Sequence, residues 1–553
     1  MKRYRLLLFI LASVCITACN KCAQELPKAV LVDKPELVNE EINKLLAEKL
    51  SNYDTSKTLV ILKDSLVATK FIAEYYTGNK FTACWTNKGR LTRQGETLYT
   101  IIKHADIYGL IAEDYHYSKI DSLIRTARDT VNKKLDATKL FNAELFMTDA
   151  FFKFAVHVSK GRFNADSLTT EWHPQLLDTN LVTVLNAAVQ ANTIHETIDS
   201  LEPHNEQYRK LKQALADYKF EFRKAHWDSL ASRESDSTTF MERIKQRLIA
   251  SHDYFEEVDG PDSMKLVKAI KNFQCKRNLT EDGKVGKLTF KAMQQTKEDI
   301  IRQIELNMER WRWKEAPAEK QFVWVNIPKY EMFVSEDDTL VMRSKVIVGA
   351  PDHQTPLLKS TIRYFIIYPY WTVPFSIATK ELLPILKRDT AYLRKKNFDV
   401  LDASNNIVDP SKINWKRYSK TYFPWKLRQR IGEDNSLGVL KFNFENKYGV
   451  YMHDTDARRL FGREMRALSH GCCRLDKYMD FAQFLIRDDS VKYPVDSLRS
   501  DLLKEKQKYV YIRHPLPIYI NYYTAEVDKN NSLYLFIDVY KRDEKMLKAL
   551  YKK

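Results

Sequence analysis

Residues 467–475 read ALSHGCCRL, with two adjacent cysteines directly after Ser-His-Gly. Nineteen residues before the first of them, Cys472, stands His453, near the end of YGVYMHD (448–454). The alternation around 448–454 predicts a strand, and a chain that doubles back after it can bring His453 to face the thiol. Four chemistries are open to the pair. A metal site needs three or four converging ligands; adjacent cysteines diverge along an extended chain, and no Cys-x-x-Cys partner exists elsewhere. A vicinal disulfide or redox pair is strained, because neighbouring Cα atoms lie about 3.8 Å apart, below the usual disulfide range. A purely structural pair sits oddly beside Arg466, Ser469, His470 and Arg474. The fourth reading is a nucleophilic thiolate, with His453 as base and with His470 and Arg474 lowering its pKa by local positive charge. Gly471 allows close backbone approach, and the N–H groups of 471–473 could form an oxyanion hole.

The rest of the chain gives this site a setting. MKRYR followed by LLLFILASVCITA (6–18) is a basic opening and an apolar run too short to span a membrane, which predicts a secretory leader over residues 1–18. It ends Ile16-Thr17-Ala18-Cys19, similar to a bacterial lipobox, so that Cys19 would carry lipid and tether the mature chain to a membrane in the cell envelope, on the periplasmic side. After Cys15 leaves and Cys19 is lipidated, Cys22, Cys84, Cys275, Cys472 and Cys473 remain, an odd number in an oxidising compartment. The net charge of +17 is spread without a basic tract, which argues against a nucleic-acid partner and suits an anionic polymer or membrane surface. No metal and no cofactor is implied.

At 553 residues the chain is too long for one core, and about three to four domains are expected. Residues 19–55 read as a tether and a helix with Leu37, Ile42, Leu45, Leu46 and Leu50 near helical spacing. Residues 56–250 read as a helical scaffold domain without a catalytic constellation. At 251–300 a helix with Met264, Val267, Ile270 and Phe273 on one face precedes the turn Asp282-Gly283-Lys284-Val285-Gly286 and a second helix at KLTFKAMQQ. Its FQ…L…DG..G..T layout resembles the small three-helix peptidoglycan-binding module. From 318 to 490 the periodicity becomes that of strands, interrupted at about 376–430 by a basic, helix-forming insertion. Residues 491–553 read as a β/α extension packing on the preceding domains. The fold class expected is α+β and multidomain, with a β-rich, mixed-sheet or sandwich-like C-terminal domain.

The pattern YMHD…RALSHGCCRL resembles the L,D-transpeptidase signature, an upstream His followed by Ser-His-Gly-Cys-x-Arg. VNIPKYEMFV (325–334), KVIVGAPDHQTP (345–356), YPYWTVPFSIA (368–378), LGVLKFNF (437–444) and YMHDTDARRLFGREMRALSHGC (451–472) extend the resemblance to the large envelope L,D-transpeptidases. It implies Cys472 as nucleophile, His453 as general acid/base, Ser469, His470 and Gly471 as supporting residues and Arg474 as a positioning residue, with Tyr370, Trp371 and Tyr451 lining the substrate. The reaction implied joins peptidoglycan stem peptides 3→3 through a thioester, from a tetrapeptide donor to a diamino-acid acceptor, with release of D-alanine, under a lid formed by the insertion. An L,D-carboxypeptidase would use the same pair, and a non-catalytic peptidoglycan-binding lipoprotein would not need Cys472. Two positions depart from the family pattern: Cys473 stands where an aliphatic residue is usual, and Tyr368 where Asn often precedes Pro-Tyr-Trp.

Overall fold

The computed structural model describes residues 29–551 apart from 129–133, 164–179, 225–226, 228–229, 231–236, 255–259, 314–316 and 490–491. The expected leader, Cys19 and Cys22 lie outside the described residues. None of the described helices is long and apolar enough to cross a membrane. The chain divides into two compact units, one ending at Lys212 but including Met308–Lys314, the other formed by Gln213–Asn307 and the residues from Glu315 onward.

The first unit is built on the helix Ala137–Lys160, which is apolar almost all round and buried accordingly. Asp136 caps it by accepting from the Lys139 N–H at 3.2 Å. Phe146, Phe151, Phe152 and Phe154 share a core with Val38, Ile42 and Leu46 of the helix Pro35–Leu50. That second helix buries the stripe Val38, Ile42, Leu46, Leu50, which leaves the expected Leu37 exposed on the opposite side. A carboxylate lies inside this core: Glu144 accepts from the backbone N–H groups of Cys84, Trp85 and Thr86 and from the hydroxyls of Thr86 and Tyr76.

In the second unit, Ser237–Ala250, Asp262–Lys276 and Lys287–Met293 form a small helical module around Phe240, Ile244, Leu248, Ile270, Phe273 and Met293. The expected boundary at residue 250 therefore moves upstream, because the apolar stripe of Ser237–Ala250 is covered only within this module. Of the expected face Ile270 and Phe273 are buried, together with Ala269, while Met264 and Val267 are exposed. Buried Gln274 fastens the turn, donating to Asp282 and to the Lys284 carbonyl and accepting from the Gly283 N–H at 2.9 Å. Gly283 has φ +72° there, a conformation that favours glycine.

The remainder is a mixed sheet whose strands are β1 (Gln321–Asn326), β2 (Glu331–Glu336), β3 (Thr339–Gly349), β4 (Leu358–Ile367), β5 (Leu440–Phe444), β6 (Met452–His453), β7 (Ala467–Ser469), β8 (Cys473–Leu475) and β9 (Lys508–Asn521). They pair in the order β7-β3-β8-β6-β5-β4-β9-β1-β2, and β2 pairs back to β3, so that eight strands close into a ring with β7 beside β3. Closure removes the free edges that an open sheet would expose. Inside are Val323, Val325, Ile362, Phe365, Phe442, Met452, Cys473 and Leu475. Strand β9, expected in an extension, lies within the ring between β4 and β1, because its alternate residues Val510, Leu516, Ile518 and Ile520 fill the same core.

The insertion after β4 is mixed rather than helical. Helical turns at Phe375–Leu386 and Ala391–Lys395 pack on a four-stranded sheet of Trp371–Thr372, Lys426–Gln429, Phe398–Leu401 and Ile407–Val408. It has its own core of Leu382, Leu386, Leu393, Val400, Trp415 and Leu427. Phe398, Val400 and Leu401 are all buried in the first of its paired strands, and in Lys426–Gln429 the buried Leu427 and Gln429 alternate with more exposed Lys426 and Arg428.

Candidate functional site

The parallel pairing of β6 with β8 brings the two stretches of the opening motif together. Met452 lies opposite Cys473 and His453 opposite Arg474, and the Cys473 N–H donates to the Tyr451 carbonyl at 3.0 Å. Because side chains alternate across a strand, Met452 and Cys473 turn into the ring's core, while Tyr451, His453, Cys472 and Arg474 share the other face. The two cysteines are thus separated by the pleat: Cys473 is buried beside Met452, and Cys472 is half-buried on the face of His453. Both are free thiols.

The loop before Cys472 is held on several sides. Ser469 Oγ donates to the Cys472 carbonyl at 2.6 Å and accepts from the Gly471 N–H at 3.2 Å. The Gly471 carbonyl accepts from Thr355 Oγ1 at 2.8 Å, and Thr355 in turn is held by the Tyr540 hydroxyl, which accepts from its N–H and donates to the Gly349 carbonyl. Gly471 adopts φ +112°, which explains why a glycine precedes Cys472. Of the three N–H groups expected to form an oxyanion hole, those of Gly471 and Cys473 are spent on Ser469 and Tyr451. Only that of Cys472 has no partner among the described residues.

His453 is buried, and its Nδ1 lies 2.5 Å from the Asp454 carbonyl oxygen. A carbonyl can only accept, so Nδ1 carries the proton and Nε2 keeps its lone pair. Asp454 is itself immobilised, accepting from the Val439 N–H at 3.0 Å and from Arg458 Nη2 at 3.0 Å. Gly438, at φ +59°, leaves the space that the Asp454 carboxylate fills; a Cβ there would stand 2.1 Å from Oδ2.

Burial, and then the Arg474 charge, holds the His453 imidazole down to about 3. Burial also pushes the Cys472 thiol up, with Tyr451, Lys441 and Arg474 pulling it part of the way back. The pair is therefore uncharged at neutral pH. The expected lowering of the thiol pKa is not what this geometry gives, since desolvation outweighs the neighbouring charges. His470 is turned toward the insertion: its Nε2 lies 2.7 Å from Glu381, and its ring lies 5.1 Å from that of His353. Arg474 Nη1 reaches Thr455 Oγ1 at 3.4 Å, while its Nε is buried without a hydrogen-bond partner among the described residues.

The three expected substrate contacts divide. Tyr451 lies against both Cys472 and His453, its ring 5.6 Å from the imidazole. Trp371 packs on the insertion's core, 6.1 Å from Phe398, and its side chain interacts with that of Tyr451. Tyr370 is exposed under the Arg428 guanidinium, at 4.8 Å. Tyr368, the departure noted before Pro-Tyr-Trp, has φ +45°, a left-handed conformation that asparagine adopts far more readily than tyrosine. Its ring is kept by burial in the ring's core.

Three further segments of the chain have known counterparts. Residues 320–492 match the L,D-transpeptidase catalytic domain. Residues 70–215 match the "Scaffold domain", and residues 238–293 the "Putative peptidoglycan binding domain". A Haemophilus influenzae protein named "Putative L,D-transpeptidase" is 33% identical over 248 residues, which is 45% of this chain and 49% of that protein. The match thus spans about half the length of that curated relative. A crystal structure of an L,D-transpeptidase from Stackebrandtia nassauensis aligns at 16% identity with a TM-score of 0.20, covering 53% of this chain and 96% of that one.

Within the matched residues 320–492 one residue of the site has no counterpart in the sequence-based expectations. Lys441 of β5 stands opposite His453, its Nζ lies 3.8 Å from the centre of the Tyr451 ring, and its charge acts on Cys472. No carboxylate pairs with it among the described residues, and burial lowers its pKa. The available signal was a lysine at an outward position of the alternating strand LKFNF. Thr355 and Tyr540 left no such signal, because only the closed sheet brings them to Gly471.

Proposed function

We propose that the chain is a cysteine acyltransferase of the L,D-transpeptidase type, joining peptidoglycan stem peptides 3→3. The observation that carries this reading is the β6–β8 pairing, which sets His453, with Nε2 unprotonated, on the same face as Cys472. Since both groups are neutral at rest, His453 acts as a general base during attack rather than as half of a preformed ion pair. Its Nε2 takes the thiol proton as Cys472 Sγ bonds to the carbonyl carbon of the third stem residue. The proton then passes to the departing D-alanine nitrogen, leaving a thioester on Cys472. A side-chain amine of an acceptor stem attacks that thioester, His453 accepts its proton, and the returning thiolate is reprotonated as the new amide forms.

The Cys472 N–H supplies one donor to the oxyanion, while Arg474 and Lys441 offer positive charge to the developing negative charge and to donor carboxylates. Ser469 and Gly471 shape the loop, and Tyr451, Trp371 and Tyr370 line the approach. The His470–Glu381 contact ties the insertion to the catalytic loop, so the insertion serves as a lid that keeps water from the thioester. The reading includes a cell-envelope location, with lipid at Cys19, and a peptidoglycan-binding module that raises the local strand concentration.

The test is mass spectrometry of the intact protein after incubation with a carbapenem, together with muropeptide analysis. An adduct on the Cys472 peptide, lost in Cys472→Ala and retained in Cys473→Ala, is expected, along with 3→3 dimers. An adduct on Cys473, or no adduct at all, overturns the assignment. Release of D-alanine without dimers would identify an L,D-carboxypeptidase instead.

A further inference from the structure

The face that carries Cys472 and His453 does not end at β5. The cross-strand register runs Arg474–His453–Lys441–Ile366–Tyr509 from β8 to β9, so Tyr509 lies in the same row as His453. The adjoining row runs Asn443–Tyr364–Tyr511. Tyr509 and Tyr511 are 51% and 69% exposed near the start of β9, where both already pair with β4. Their rings lean on that of Tyr364, with centroids 5.9 and 5.3 Å away, and Asn443 Nδ2 donates to the Tyr364 hydroxyl at 2.9 Å. Exposed aromatic rings on the face opposite a complete core add nothing to that core, which Val510 and Ile512 of the same strand already fill.

We propose that Tyr364, Tyr509 and Tyr511, with Asn443, form a saccharide platform that seats the glycan of the acceptor strand. This rests on the transpeptidase reading for the identity of the strand, but not for the binding itself. The chemistry of the patch selects a sugar over a polypeptide. Tyrosine rings present flat apolar faces to the C–H faces of a pyranose, and their hydroxyls and the Asn443 amide meet its hydroxyl and N-acetyl groups. Ile366, the one aliphatic residue in these rows, is buried, so the patch offers no apolar groove for a peptide side chain. Distance fits as well: three strand spacings of about 4.8 Å place Tyr509 roughly 14 Å from His453. A stem extended to its third residue reaches about 10–11 Å from its attachment, and the link to the sugar adds the remainder.

The experiment is calorimetric titration of the full chain carrying Cys472→Ala with chitotetraose, a peptide-free β-1,4-linked N-acetylglucosamine oligomer. The titration is repeated with Tyr509→Ala/Tyr511→Ala added, and with Tyr511→Phe. The platform predicts binding that weakens at least tenfold in the double alanine variant and survives in Tyr511→Phe. Absence of binding in the parent, binding unchanged by the double variant, or equal loss on Tyr511→Phe would each overturn it. Binding that persists unchanged would place the sugar elsewhere, as on the peptidoglycan-binding module. If the double variant does not fold, Tyr511→Ala alone, at the more exposed position, carries the same comparison. The transpeptidase reading fails separately, by absence of the carbapenem adduct on Cys472 in the parent chain.

Discussion

Glu144 in the helical unit and Lys441 in the β unit are both ionisable side chains withdrawn from water, and their surroundings treat them in opposite ways. Glu144 is wholly buried, and three backbone N–H groups and two hydroxyls converge on its two oxygens. Its lone pairs are filled, and it fastens the segment at Cys84–Thr86 to the central helix. Lys441 has a tyrosine ring beneath it and, among the described residues, no acid beside it, and nearby Arg474 keeps a buried Nε without a hydrogen-bond partner among them. A buried polar group that is fully bonded contributes to structure, whereas one left open has capacity for a ligand.

Glu144→Leu tests the first side of this contrast and should have the largest effect. It leaves the Cys84–Thr86 donors unpaired in the core and should destabilise the helical unit by about 3–5 kcal/mol, read by denaturant unfolding. A change below about 1 kcal/mol would mean that the carboxylate is not the fastener described. Lys441→Met tests the other side. Acylation of Cys472 should slow by about tenfold to thirtyfold, roughly 1.4–2 kcal/mol, with partial recovery in Lys441→Arg and no loss of thermal stability. Unfolding of the variant at lower temperature would make Lys441 a structural residue.

The pH dependence sharpens the same point. His453 is held down to about 3 by burial, so between its ordinary value near 6.5 and about 3 the unfolded chain takes up a proton that the folded chain does not. Stability therefore falls as pH drops through that window, and His453→Gln should reduce the dependence in acid melts. For the same reason the rate of Cys472 acylation should show no histidine step near pH 6.5 and should decline only in more acid solution. A step at 6.5 would mean that the imidazole is solvated when it reacts. The smallest effect expected is from Cys473→Val. Its thiol, pushed up to about 12 by burial, fills space beside Thr355, so stability should change by less than about 1.5 kcal/mol and acylation should persist.

How far the sequence could be read depended on the range of the interactions involved. Ser-His-Gly before Cys472, the DG turn after Gln274 and the change from helical to strand periodicity near residue 318 are local patterns, and local backbone preference expresses them directly. On Pro35–Leu50 the expected Ile42, Leu46 and Leu50 are buried, but Val38 takes the place of Leu37, because adjacent apolar residues compete for burial and only the neighbouring helix selects between them. The insertion read as helix because its charged residues are good helix formers, yet burial of Phe398, Val400 and Leu427 draws those segments into strands.

By itself, the sequence determined which residue types stand together at the motif: a cysteine after Gly471, a histidine nineteen residues before it and an arginine two residues after it. Which of the two cysteines meets the histidine, what charge the pair carries and which other side chains join them were decided by the tertiary structure. The pleat sends Cys473 inward and Cys472 outward, the β5–β6 pairing delivers Lys441, the closed sheet brings Thr355 and Tyr540 to Gly471, and burial holds the Cys472 thiol and the His453 imidazole neutral. The physical reason is that face, burial and electrostatic field arise from partners remote in the chain, and no short window of sequence contains them.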